Sequence, residues 1–140
     1  VKSPKLYIRD TGILHLLRGI GGYHALEGDI LKGASWEGFC LQQLMALLHP
    51  SILPYFYRTA AGAELDLVLL KGNTPHAALE FKYGNSPKVS KGNTEALNDL
   101  GRPSLFIVTP TAERASVRPG IEIIAIADLP GVLKDLGVSA

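Results

Sequence analysis

From Pro54 to Tyr83 three extended runs follow one another with only two short turns between them. PYFYRT occupies 54–59, ELDLVLL 64–70 and HAALEFKY 76–83. The links are AAGA, turning around Gly62, and the Gly/Pro-bearing segment 71–75. Links this short cannot carry a crossover, which needs a dozen or more residues, so an antiparallel meander is the economical arrangement. A polar stretch follows at 84–101; its second half is helical in character and ends at Gly101. SLFIVT at 104–109 is strongly apolar, so that helix reads as a crossover between two strands. IEIIAI at 121–126 is a further strand, and ADLPGVLKDLG closes the chain with a short helix interrupted at Pro130.

Ahead of the meander, Ser35 precedes WEGFCLQQLMALLH, a helical run stopped by Pro50. One face of that helix carries Glu37, Cys40, Leu41, Leu44, Met45 and Leu48. Every member but the first is apolar, so Glu37 heads a stripe expected to face the core. Earlier still, Leu6 to Ile8 is strand-like, and Asp10 or Thr11 is placed to cap a helical turn carrying Leu14 and Leu17. Residues 23–34 read as loop with some helix. Residues 1–34 are therefore taken as an N-terminal extension and 35–140 as the main domain. The element order is that of an α/β (α+β) domain with a central mixed β-sheet flanked by helices.

Hydrophobic residues make up 46% of the 140, enough for one core, and the net charge of +1 argues against binding nucleic acid through bulk positive charge. Lys88, Lys91 and Arg102 could form a local basic patch, with solvated surface charge as the plainer reading. The lone Cys40 offers neither a disulfide nor metal-ligand spacing, and the four histidines are scattered. No apolar run approaches the ~20 residues of a membrane span. With no signal peptide evident, cytoplasm is the default compartment. The chain begins without methionine, and reads as a piece of something longer or as a processed product.

The chemistry concentrates in the meander. Alternation sets Ala78, Glu80 and Lys82 on one face of the third strand, and Glu64, Asp66 and Val68 on one face of the second. Asp66 and Glu80 then lie on adjacent strands, and Glu37 enters from the preceding helix. Magnesium takes one or two carboxylates together with waters and substrate phosphate oxygens, which Asp66 and Glu80 suit, with Glu37 as a third or water-mediated ligand. Lys82 would orient the attacking water or neutralise a phosphate. Plainer readings stand beside this one. Glu80-x-Lys82 can be a solvated ion pair, Glu64 and Asp66 the polar face of a hairpin, and Glu37 a first-turn acid favoured by the helix dipole.

The series Glu37, Asp66, Glu80-x-Lys82 resembles the PD-(D/E)XK nuclease superfamily, with its restriction-endonuclease-like core of order α-β-β-β-α-β. More narrowly, PKLYIRDTGIL, WEGFCLQQL, YFYRTAAGAELDLVL, ALEFKYG and GIEIIAIADL resemble the DUF4143 domain found at the C-terminus of prokaryotic AAA-type P-loop ATPases. That resemblance implies a nuclease-like domain using Mg2+ or Mn2+, with Glu37, Asp66, Glu80 and Lys82 as its site. It marks Arg58 as a phosphate contact, or as a partner of Glu64. Gly38 stands where relatives often carry a polar amide. The implied partners are DNA and the ATPase domain of a longer chain; exposed strand edges could support a homo-oligomer. No GxxxxGK[ST] occurs, so this chain is not expected to hydrolyse ATP. The alternative is an inactive nuclease-fold module that binds DNA or protein.

Overall fold

In the computed structural model, which describes residues 7–84 and 86–140, the meander is present. Strands β1 (Ile52–Arg58), β2 (Glu64–Lys71) and β3 (Thr74–Phe81) pair antiparallel in sequence order. Lys71 opposes Thr74, so β2 and β3 are joined by a two-residue turn. Gly72 in that turn has φ 63°, a conformation that costs glycine nothing. Helix α4 (Lys91–Asp99) then crosses to β4 (Ser104–Thr109), which lies parallel to β3. Strand β6 (Ile121–Ala125) continues the parallel half beside β4. The short β5 (Ala115–Arg118) closes the edge antiparallel to β6. The mixed six-stranded sheet runs β1-β2-β3-β4-β6-β5.

Four local readings change. β5 is exposed along its whole length and only four residues long, too short for the alternation of Ala115, Ser116, Val117 and Arg118 to stand out, which is why the sequence pattern passes over it. Pro130 stands in the first turn of α5 (Leu129–Asp135), just after a 3-10 turn at Ile126–Asp128. There proline's missing N–H costs nothing, so it begins the helix and does not interrupt it. Tyr7 and Ile8 are not strand; Leu6 lies outside the described residues. On α3, Met45 remains 38% exposed, so the apolar stripe is narrower than its periodicity suggests.

The chain divides into two compact units, within residues 1–46 and 47–140. The first holds α1 (Thr11–Leu17), α2 (Tyr23–Glu27) and most of α3 (Lys32–Leu47). Asp10 caps α1 through its side chain on the Ile13 amide, as its residue type favours. His15 Nε2 lies 2.6 Å from Ser35 Oγ, tying α1 to α3.

In the second unit, α4 covers one face of the sheet. Leu65, Val68, Ala78, Leu105, Ile107 and Ile121 pack there with Ala96 and Leu97 of the helix. Burying each large aliphatic side chain contributes about 1.5–3 kcal/mol. The opposite face of the central strands presents Leu67, Leu79, Phe81, Phe106 and Val108, also buried. The start of α4 is fastened twice. Ser90 and Asn93 form a capping box, and Asn93 Nδ2 donates to the Glu64 carbonyl at 3.0 Å. Gly92 meets the β1–β2 turn so closely that a Cβ there would stand 2.7 Å from the Gly62 carbonyl oxygen.

Candidate active site

The sheet prepares one point at which acids converge. Opposite Tyr57 and Tyr55 of β1 stand Leu65 and Val68 of β2, so Asp66 and Leu67 together oppose the single residue Phe56. That is a β-bulge, and bulges re-aim side chains. It overturns the strict alternation expected for this strand, because Leu65 and Val68 join the same core cluster. On the other side of β2 the register pairs Leu67 with Leu79, and one step further it sets Asp66 against Glu80.

The paired register stops at Leu67–Leu79, and carboxylates take the next amides. Phe81 N–H donates to Asp66 Oδ2 at 3.0 Å, and Asp66 N–H donates to Glu80 Oε2 at 3.3 Å. Each acid is thus bonded to the other's strand. Lys82 follows on the Glu80 face, its Nζ 2.7 Å from Glu80 Oε1, with its backbone N–H on the Val108 carbonyl. Asp66, Glu80 and Lys82 are therefore brought together as the sequence suggests.

Their environments differ in a useful way. Glu80 is 5% exposed, whereas the Lys82 side chain is 43% exposed and carries its charge to solvent. Burial pushes the Glu80 carboxyl above the ordinary glutamate range, and the neighbouring Asp66 charge pushes the same way. Hydrogen bonding and attraction from Lys82 oppose the rise without cancelling it. A cation near both acids would relieve this strain directly.

The donor set fits a hard divalent ion in minimal form. Among the described residues no group of three or more His, Cys, Asp or Glu is arranged to hold a metal. The protein would supply Asp66 and Glu80, leaving water and substrate oxygens to complete the shell, as magnesium accepts.

Arg58 pairs with Glu64 across the β1–β2 hairpin, Nε to Oε2 at 3.5 Å, with both side chains partly exposed. This is the second of the two roles open to it from sequence. Glu37 lies on α3 in the first unit, where its carboxylate accepts from Tyr7 Oη. Cys40 is buried. Two polar residues of the second unit escape sequence reasoning. Asn93 is nearly inaccessible and pins α4 to β2; the spacing Ser90-x-x-Asn93 was the available signal. Arg118 rides on the unread strand β5.

Known proteins resemble this chain at three levels. The family model described as "Domain of unknown function (DUF4143)" matches residues 32–129. Uncharacterized protein Mb2031c of Mycobacterium bovis and Uncharacterized protein Rv2008c of Mycobacterium tuberculosis are each 48% identical over 113 residues, covering 81% of this chain. The chain spans 25% of the length of each of these curated relatives. Among solved structures, a chain in the half-complex from the tetradecameric assembly of Thermococcus gammatolerans McrB AAA+ hexamers with bound McrC is similar in fold. Its TM-score is 0.50 at 18% identity, over 74% of this chain and 33% of that one.

Proposed function

Because the chain belongs to the DUF4143 family, whose description leaves the activity open, we propose that Asp66, Glu80 and Lys82 form a divalent-metal-dependent phosphodiester site. In this reading the domain is nuclease-like, of PD-(D/E)XK type, and is carried by a longer AAA-type ATPase. The observation that supports it most is Glu80: a buried carboxylate held beside a second acid, with one lysine reaching from it to solvent. A domain with nothing to bind gains little from setting two carboxylates against each other at the end of a strand pair. The fold neighbour stands among AAA+ hexamers, which favours a place beside an ATPase motor and an oligomeric setting.

Magnesium or manganese, when bound, would polarise the scissile phosphate and acidify a water molecule. Asp66 and Glu80 would hold the ion. Their bonds to the Phe81 and Asp66 amides fix both carboxylates before substrate arrives, so little reorganisation is needed. Glu80 anchors the Lys82 ammonium, which is positioned to offset charge building on phosphate oxygens or to orient water. Since Glu80 must be ionised to serve, activity should rise with pH across its elevated titration.

A second reading is favoured by the closure of the cluster on itself: Lys82 already neutralises Glu80 at 2.7 Å. A nuclease-fold module that binds DNA or protein without turnover would use this arrangement structurally.

The two separate when the purified 140-residue chain is mixed with plasmid and single-stranded DNA in Mg2+ or Mn2+. The hydrolytic reading expects cleavage that falls about 100-fold or more in Asp66→Ala and in Lys82→Ala. Cleavage surviving both substitutions would come from a contaminant and remove the claim. DNA retained without cleavage would support the module.

A further inference from the structure

Beside α4 two clefts join, and their walls are basic. One, of about 270 Å3, is lined by Arg102 and Arg118 with Asn98, Thr94, Pro103 and Pro119 among its walls. The other, about 430 Å3, is lined by Lys88 and Lys91 and shares Thr94 and Arg118 with the first. No Asp or Glu is among the described lining residues of either cleft. Of the acids of α4, Asp99 is engaged elsewhere, accepting from Tyr57 Oη at 2.9 Å, whereas Glu95 lies 3.6 Å from the groove's own Lys91, a pair with both partners exposed.

The arginines are held in place by neutral partners. Arg118 Nη2 donates to Thr94 Oγ1 at 2.9 Å, and Arg102 Nε donates to Asn98 Oδ1 at 2.9 Å. Arg102 also adopts φ 61°, the left-handed region that an arginine enters at a cost, with its N–H on the Leu97 carbonyl at 2.7 Å. A glycine would fit that backbone without strain, so the guanidinium is the feature the strain preserves.

The groove also has a direction. As the crossover between parallel strands, α4 runs back along the sheet, and Asn93 ties its start to Glu64 at the opening of β2. That is the end of the sheet where Glu80 and Lys82 sit. The Lys88–Lys91 cleft takes in the residues at that start of α4, and the Arg102 cleft takes in the residues at its other end, with Thr94 and Arg118 lining both.

We propose that this groove holds the phosphodiester backbone of a single nucleic-acid strand and leads it to the Asp66–Glu80 pair. The inference deepens the phosphodiester reading and rests on it for the identity of the ligand. A nine-residue α4 is roughly 13 Å long, the reach of about four nucleotides at the spacing of one strand. The charges form a strip and not a single nest, which suits a repeating anion better than an isolated phosphate. No aromatic side chain is among the lining residues, so the contact is with backbone and insensitive to base sequence.

The test is fluorescence anisotropy of the 140-residue chain with a labelled single-stranded oligonucleotide in EDTA, so that cleavage does not intervene. Combining Arg102→Gly, which relaxes the backbone, with Arg118→Ala should weaken binding about tenfold or more. The double variant should also flatten the salt dependence by about 1–2 units of log–log slope. Asp66→Asn should bind at least as tightly as wild type. Binding retained in a wild-type chain that never cleaves in Mg2+ or Mn2+ keeps the groove and discards only hydrolysis. A folded double variant with unchanged affinity and slope overturns the proposal. So does displacement by inorganic phosphate or polyglutamate as effective, per charge, as displacement by unlabelled oligonucleotide.

Discussion

Glu80 is the residue on which most turns. Its carboxyl is pushed upward by burial and then by Asp66, so the folded chain keeps that proton to higher pH than the unfolded chain does. The stability linked to it is fully present below the ordinary glutamate range and is lost as pH rises through the elevated value. Glu80→Gln should therefore melt higher than wild type at neutral pH, with the difference closing toward about pH 4. Leaving Lys82 without its partner costs little, because that side chain is 43% exposed. Thermal melts across pH check this; a variant no more stable at neutral pH would contradict it. Asp66 and Glu80 were legible because a meander with short turns leaves few registers. The bulge was not: an extra residue at Asp66–Leu67 gives no signal in an apolar run, and it alone explains why Leu65 and Val68 share a core. The Tyr7 partner of Glu37 was likewise invisible, being thirty positions away in sequence.

At the scale of elements, two helical glycines make opposite predictions. Gly38 in α3 is buried, but an added Cβ would meet Thr11 Cγ2 at an ordinary 3.6 Å. Gly38→Ala should be neutral or stabilise by up to about 1 kcal/mol, from helix propensity. Gly92→Ala gains the same propensity but drives a Cβ to 2.7 Å from the Gly62 carbonyl oxygen. It should destabilise by about 1–3 kcal/mol, as overpacking does. Denaturant midpoints measure both, and equal effects would mean that α4 is not seated on the β1–β2 turn. The strands were easier to read than the helix ends. α3 begins at Lys32 and already includes the Ser35 that was read as preceding it; Ser35 is buried, with its Oγ 2.6 Å from His15 Nε2. β5 was missed since an alternation of only four residues, all exposed, is too short to mark a strand, and Arg118 was missed with it.

For the whole molecule, the α+β class and the mixed sheet follow from element order, with crossover and hairpin lengths deciding which strands run parallel. The second unit is organised by the cluster between sheet and α4. Ile107→Ala, at a position with no solvent exposure, should cost about 2–5 kcal/mol in equilibrium unfolding. A loss well below that would mean the cluster repacks easily. No helix among the described residues is long and apolar enough to cross a membrane. Ile107 of this cluster is the register partner of Glu80 across the β3–β4 pair. The central claim is that the Glu80 carboxylate and Asp66 hold a divalent cation. Manganese binding, followed by the loss of the free-ion paramagnetic resonance signal on titration, tests it most directly. Saturable binding that disappears in Asp66→Asn and in Glu80→Gln is the predicted result; no binding, or binding untouched by both substitutions, would contradict it.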